Sequence, residues 1–185
     1  MKITEVQTIR VAVMRHGELG YLVIVKTDAG IYGLGEVAAD CHPLAVAHCI
    51  RSMELVGRDP MRIEAFWQEH HQGQFWRGGP IWTSAISGIE QALWDIKGKA
   101  LGAPVYELVG GALRDRIKLY THTRFGTETP EEFAQSAIEA VEMGFQAVKF
   151  DPFGAAVHGW TRPRCGWPQP GCAPPVKQWV TMSTS

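Results

Sequence analysis

The segment that decides the fold is residues 83–101, TSAISGIEQALWDIKGKAL. Its apolar side chains recur every three or four positions, which is typical of a helix with one buried face. The side chains of this stripe are Ile86, Ile89, Ala92, Leu93 and Ile96. Gly102 follows directly, and glycine commonly ends a helix. The segment therefore predicts one long helix packed against a core.

Strand patterns precede this helix. Residues 2–15, 20–28 and 31–37 are rich in Ile, Val and Thr, and Asp28-Ala29-Gly30 is a turn sequence between the last two. These segments predict a three-stranded meander.

Two shorter helices are expected between the meander and the long helix. Apolar residues recur at helical spacing after Pro43, and a further helix is predicted to open at Asp59-Pro60 and to carry Ile63 and Phe66. Gly78-Gly79-Pro80 then breaks the chain.

The order of elements changes after residue 115. Residues 117–122 and 147–150 have strand character, and residues 130–143 between them have helical character. Thr129 can cap the helix, and Gly144 can end it. A strand–helix–strand run of this length predicts one right-handed crossover unit of a parallel sheet.

Composition narrows the class of protein. The 185 residues carry a formal net charge of −1, and 45% of them are hydrophobic against 20% charged, as in an ordinary globular chain. Such a charge gives no reason to expect nucleic acid or an anionic membrane as a partner. No apolar run approaches the roughly 18 residues of a membrane span, and four scattered cysteines do not make a disulfide framework. We expect a cytoplasmic protein with reduced thiols.

The last part of the chain differs from the rest. Residues 157–185 hold five of the 11 prolines and three of the 7 tryptophans, but none of the 19 acidic residues. They show neither helical nor strand periodicity. This stretch is either a proline-rich linker or a segment read out of frame. We favour the second, because GC-rich codons chosen for it and read two bases later can give a helix–turn–strand pattern.

Several motifs have a structural explanation as well as a functional one. Gly33-Leu34-Gly35 lacks the third glycine of a dinucleotide loop, so we expect it to allow a tight turn and to leave Glu36 at a strand end as a structural anchor. His70-His71 is expected at a solvated helix end. Asp95 and Lys99 lie one helical turn apart and are expected to form an exposed ion pair.

A metal site is not expected near residue 45. Two cysteines and two histidines lie close together there, but without the C-x-x-C spacing of a zinc site. The four residues are Cys41, His42, His48 and Cys49.

The ends of the two predicted parallel strands carry polar side chains. Lys149 ends the second strand, and period-two geometry puts Asp151 on the same side of it. His122 and Arg124 lie at the end of the first strand. In a closed (β/α) barrel this end carries the chemistry. The alternative, that Lys149 and Asp151 form a buried salt bridge in a barrel interior, stays open.

Three segments of the sequence resemble the enolase superfamily. They are the long helix, the segment APVYELVGG at residues 103–111 that follows it, and Gly33-Leu34-Gly35-Glu36. The resemblance is to its mandelate racemase/muconate lactonising group and covers residues 1 to about 155. It implies an α+β capping domain, a three-stranded meander plus helices at 1–115, followed by the beginning of a (β/α) TIM-type barrel at 116–155. Residues 156–185 form the aberrant tail.

The resemblance also implies site residues. Lys149 matches the first lysine of the family's Lys-x-Lys motif, and Asp151 stands where the second lysine, the usual base, would be. Both are weak catalytic candidates, for orienting the substrate. Segments 14–19, with His16, and 38–43, with His42, match loops that close over the substrate. With His122, these histidines are the substrate-binding candidates.

The family holds Mg²⁺ on carboxylates of the third to fifth barrel strands, where the metal stabilises an enediolate formed next to a carboxylate. A full barrel takes about 250 residues, so we expect a truncated chain that binds no Mg²⁺ and is inactive by itself. The missing second lysine favours an acid-sugar dehydratase as the parent enzyme. A racemase or cycloisomerase, a non-catalytic oligomerisation module and a gene-calling artefact remain alternatives. A sugar acid and a second copy of the chain are the expected partners.

Overall fold

The computed structural model describes residues 1–12, 19–37, 42–122 and 129–150. The chain divides into two compact units, one formed by Met1–Asp115 and the other beginning at Arg116. Each unit is described by itself below. The tail at 156–185 lies outside the described residues.

The first unit contains the predicted meander. Strands β1 (Ile3–Ala12), β2 (Leu19–Thr27) and β3 (Tyr32–Val37) form one antiparallel sheet in the order β1-β2-β3. Val6 lies opposite Val25, and Val23 lies opposite Gly35. Alternate residues of β2 and β3 are buried, as expected for a sheet with one covered face. The predicted three-stranded sheet is confirmed.

The described residues of this unit also form four α-helices and one π-helical turn. They are α1 (Pro43–Ser52), α2 (Ile63–Trp67), the π-turn (Gln68–Gln72), α3 (Pro80–Leu101) and α4 (Val105–Leu108). The predicted start of α2 at Asp59-Pro60 is wrong, because the Asp59 side chain instead accepts a hydrogen bond from the amide of Met61 and forms a local turn before the helix. Helix α3 begins three residues earlier than predicted, after Gly79 at φ 82°, and ends at Gly102 as predicted.

The core lies between α3 and the sheet. Ile89, Leu93 and Ile96 of α3 are buried against the same cluster as Val23 and Val25 of β2. Burying each such side chain stabilises the fold by about 1.5–3 kcal/mol. The stripe predicted from residues 83–101 is therefore the central element of the core.

The second unit is a strand–helix–strand run. Strands β4 (Thr121–His122) and β5 (Val148–Lys149) pair in parallel and are connected through α5 (Pro130–Glu142). Both strands are shorter than predicted, because only two residues of each find a partner in the ladder. The parallel pairing itself is confirmed, while the handedness of the crossover stays a prediction.

Helix α5 begins at a capping box. The Thr129 hydroxyl accepts a hydrogen bond from the Glu132 amide at 3.2 Å, and the Glu132 carboxylate accepts one from the Thr129 amide at 3.0 Å. Gly144, at φ 91°, follows its last turn. Among the helices that the structure describes, none is long and apolar enough to cross a membrane.

Candidate active site

The glycine pair of β3 permits a close approach of helix α3. A Cβ atom added at Gly33 would lie 2.8 Å from Ile96 Cγ1, and one added at Gly35 would lie 2.9 Å from the carbonyl carbon of Gly88. Both glycines lie within the extended strand. The expected tight turn is therefore wrong: the pair is required because the helix backbone packs directly on the strand.

Polar side chains of α3 cover the outer edge of β3. The Leu34 amide donates a hydrogen bond to the Asp95 carboxylate at 2.9 Å, and the Glu36 amide donates one to the Gln91 side-chain oxygen at 3.1 Å. The expected ion pair of Asp95 and Lys99 forms at 2.7 Å. These contacts satisfy backbone groups that an edge strand would otherwise leave unpaired. The backbone of Glu36 is thus the anchor, rather than its carboxylate.

A polar cavity opens beside this edge. It has a volume of about 500 Å³ and is lined by Glu36, Thr83, Ser84, Ser87 and Gln91. Sequence reasoning missed this cavity. The available signal was the recurrence of polar residues at 84, 87 and 91, at helical spacing and away from the apolar stripe.

A second cavity of the first unit contains an ion pair in its lining. It has a volume of about 350 Å³, and its lining includes Arg58 and Glu69. The Arg58 guanidinium lies 2.5 Å from the Glu69 carboxylate. This contact lowers the pKa of Glu69 and raises that of Arg58.

The histidine pair of the first unit lies in the last turn of the π-turn, as expected for a helix end, but the expectation of solvation is wrong for His70. His70 is only 5% exposed in the π-turn, where its ring lies 4.7 Å from the Phe66 ring. The ring of His71 stacks on Trp67 at 4.7 Å. Burial of the His70 imidazole, whose Nε2 has no hydrogen-bond partner among the described residues, lowers its pKa.

The second unit brings two predicted site residues together. His122 and Lys149 occupy the last positions of β4 and β5 and are register partners across the parallel pair. Register partners project from the same face of a sheet. Both side chains are exposed, and the His122 ring lies 6.0 Å from the Tyr120 ring. A histidine and a lysine thus share the carboxyl end of the two strands.

Of the remaining candidate residues, His42 lies in the described part of the chain. His42 is exposed at the N-terminus of α1, at φ 52°, and its carbonyl accepts hydrogen bonds from Ala45 and Val46. His16, Asp151, Arg124 and Cys41 lie outside the described residues.

The described part of the chain contains no group of three or more His, Cys, Asp or Glu side chains that could hold a metal ion. The Mg²⁺ that the resemblance implies therefore does not fit these residues.

A meander backed by one long helix defines the class of the first unit: it has the fold of the enolase-superfamily N-terminal capping domain. The family model for the mandelate racemase/muconate lactonizing enzyme N-terminal domain matches residues 2–110. The chain belongs to this family.

Two curated relatives and one solved structure are similar to the chain. A D-galactonate dehydratase family member of Streptomyces bingchenggensis is 42% identical, over 86% of this chain and 40% of the relative. A D-galactonate dehydratase of Verminephrobacter eiseniae is 40% identical, over 82% of this chain and 38% of the relative. The structure of an enolase of Pantoea ananatis, solved with bound D-gluconate and Mg, is 40% identical with a TM-score of 0.71. The match covers 81% of this chain and 36% of that enolase. The chain spans about two fifths of the length of the curated relatives it matches.

Proposed function

We propose that this chain supplies the capping domain and the first barrel strands of an Mg²⁺-dependent acid-sugar dehydratase. In this reaction the proton alpha to a carboxylate is removed and a hydroxide leaves from the neighbouring carbon, which gives a 2-keto-3-deoxy acid after tautomerisation. The observation that carries the proposal is the family match over residues 2–110 together with relatives named D-galactonate dehydratase.

The proposed role of Lys149 is to orient the substrate. An exposed ammonium at a strand end can attract a carboxylate, and His122 beside it can donate a hydrogen bond to the same group or to a hydroxyl. Asp151, in the position of the family's second lysine, is proposed as a further orienting group rather than a base. Proton removal is then assigned to a residue of another barrel strand. His16 and His42 are proposed to contact the substrate from the capping domain.

A chimera tests the proposal. Residues 1–150 of this chain replace the aligned residues of the Verminephrobacter eiseniae dehydratase, and formation of the 2-keto-3-deoxy acid from D-galactonate is followed as its semicarbazone with Mg²⁺ present. We expect turnover, because the two sequences are 40% identical across this part. D-Gluconate is assayed in parallel. Proton exchange alpha to the carboxylate without dehydration would indicate a racemase instead.

Two variants of the chimera test the role of Lys149. Lys149→Met is expected to lower kcat/KM by about tenfold or more, the scale of one lost charge-assisted hydrogen bond. Lys118→Met is the matched control, because it removes another exposed lysine of the same unit that is not at a strand end. Equal kcat/KM values for the two variants would contradict the assigned role.

The 185-residue polypeptide by itself is proposed to be inactive. With Mg²⁺ and D-galactonate it is expected to give no product above the blank, since its described residues provide no carboxylate cluster for a metal. Measurable dehydration by the purified polypeptide would overturn this expectation. The proposed shifted reading frame of residues 157–185 is tested separately by sequencing the coding DNA from Phe150 onward. The proposed cytoplasmic location rests on the scattered cysteines.

One observation favours the alternative of a non-catalytic oligomerisation module. Phe75 and Trp76 are 88% and 87% exposed and contact each other edge to face at 5.2 Å. Exposed aromatic side chains are common anchors of protein interfaces. Sedimentation of the chain and of Trp76→Ser distinguishes the two functions: an oligomer that the substitution dissociates, combined with an inactive chimera, supports the module.

A further inference from the structure

The polar cavity beside β3 has the chemistry of a hydroxyl-binding site. Its lining offers a carboxylate from Glu36 and hydroxyls from Ser84 and Ser87, and none of the described residues that line it carries a cationic side chain. In the described part of the chain, neither the Glu36 carboxylate nor the Ser84 hydroxyl has a hydrogen-bond partner. These groups are available to a ligand.

Helix α3 fixes the orientation of these groups. Gln91 holds the backbone of Glu36 through its side-chain oxygen, at 3.1 Å from the Glu36 amide. The amide nitrogen of Gln91 donates a hydrogen bond to Ser87 Oγ at 3.1 Å. Because Ser87 Oγ already accepts this bond, its own proton is free to be donated elsewhere. Thr83 is different, since its hydroxyl donates to the Gly79 carbonyl at 2.7 Å.

The arrangement selects among ligands by charge. A carboxylate or phosphate entering the cavity would meet Glu36, and the described lining residues provide no compensating cation, which is unfavourable. A vicinal diol, by contrast, can donate to the carboxylate and accept from the two serine hydroxyls. One ionised acceptor with two hydroxyl donors therefore suits a neutral polyhydroxylated chain.

We propose that Glu36, Ser84 and Ser87 form a subsite for the polyol end of a sugar derivative, on the capping unit. The identity of the ligand as an acid sugar rests on the proposed dehydratase function. The subsite itself rests only on the cavity and its polar groups.

Titration of the full 185-residue chain, followed by the backbone amide resonances of residues 36, 84 and 87, tests the subsite. The probes are sorbitol, D-gluconate, succinate and MgCl₂. We expect sorbitol and D-gluconate to shift these resonances with saturation, and succinate, which has carboxylates but no hydroxyls, to leave them unchanged. No shift with sorbitol, or an equal shift with succinate or with MgCl₂ alone, would overturn the proposal.

Substitutions give a second readout. Glu36→Gln is expected to weaken sorbitol binding by about tenfold, and Ser84→Ala and Ser87→Ala by about three- to tenfold each, on the scale of charged and neutral hydrogen bonds. Ser52→Ala is the matched control, because its hydroxyl donates to the Cys49 carbonyl and does not line the cavity. Unchanged affinity in all three cavity variants would refute the subsite.

The two proposals fail separately. A chimera that dehydrates D-galactonate, combined with no sorbitol binding by this chain, would overturn the subsite alone. Sorbitol binding combined with an inactive chimera would overturn the dehydratase alone.

Discussion

The substitution Gly35→Ala tests whether β3 and α3 pack backbone to backbone. The added Cβ would lie 2.9 Å from the carbonyl carbon of Gly88 and 3.2 Å from the amide nitrogen of Ala92. Ordinary non-bonded separations are about 3.5–4.0 Å. Both opposing atoms belong to the helix backbone, so they cannot move aside as the end of a flexible side chain can. Helix α3 must therefore move away from the strand by about 0.6 Å or more.

This movement has a cost that the structure allows us to estimate. Overpacking of a core costs about 1–3 kcal/mol. A shift of this size lengthens the 3.1 Å bond from Glu36 to Gln91 and the 2.9 Å bond from Leu34 to Asp95 beyond hydrogen-bond range. Each lost bond costs about 1 kcal/mol. We expect Gly35→Ala to lower the free energy of unfolding by about 3–5 kcal/mol, a large part of the roughly 5–15 kcal/mol of a typical domain.

The assay is urea unfolding of the full chain, followed by tryptophan fluorescence, since Trp67, Trp82 and Trp94 pack against the core. Gly30→Ala is the control: its Cβ would meet nothing within 4 Å, but the residue has φ 75°. Its cost is the backbone strain alone, about 1–2 kcal/mol. If Gly35→Ala is as stable as the native chain to within about 1 kcal/mol, the close packing is refuted.

Three further predictions concern other contacts. The free energy of unfolding should fall as the pH drops below about 6.5, because burial lowers the pKa of His70 and the unfolded chain takes up the proton first. Urea titrations at several pH values measure this fall, which should be weaker in His70→Phe. Asp95→Ala should cost about 1–2 kcal/mol, since it removes the acceptor of the Leu34 amide and the carboxylate paired with Lys99, which keeps its bond to the Tyr32 carbonyl. Thr129→Ala should cost α5 about 0.5–2 kcal/mol, measured as faster amide hydrogen exchange in its first turn.

Each of these predictions has an outcome that contradicts it. An unchanged pH dependence in His70→Phe would mean that another group carries the effect. Lys99→Ala should cost less than Asp95→Ala, because it leaves the Leu34 bond in place and removes only contacts of an exposed side chain, namely the ion pair and the 2.7 Å bond to the Tyr32 carbonyl. The reverse order would assign the stabilisation to the contacts of Lys99. Exchange in α5 that is the same in Thr129→Ala as in the native chain would show that the capping box contributes nothing.

The sequence patterns predicted those features of the fold that depend on residues close together in the chain. The apolar stripe of α3, its end at Gly102 and the cap at Thr129 depend on spacing and local hydrogen bonds, and all three were predicted. The start of α2 was not, because an Asx turn at Asp59 competes with the helix there. Strands β4 and β5 were predicted too long, because strand length depends on the partner available.

The candidate site was predicted only in part. The strand-end positions of His122 and Lys149 could be derived from the sequence, but their pairing across the ladder depends on register, which the tertiary structure sets. The burial of His70 depends on which surfaces meet, so no local pattern indicated it. The polar spacing of residues 84, 87 and 91 marks one face of α3, but the cavity itself exists only because Glu36 of β3 lies beside that face.

The sequence by itself determined the order of elements, the buried face of α3 and the family resemblance, because these are properties of spacing along one chain. The tertiary structure decided why Gly33 and Gly35 are glycines, and which polar groups face a cavity. The physical reason is that steric exclusion and hydrogen-bond satisfaction depend on distances between segments far apart in sequence.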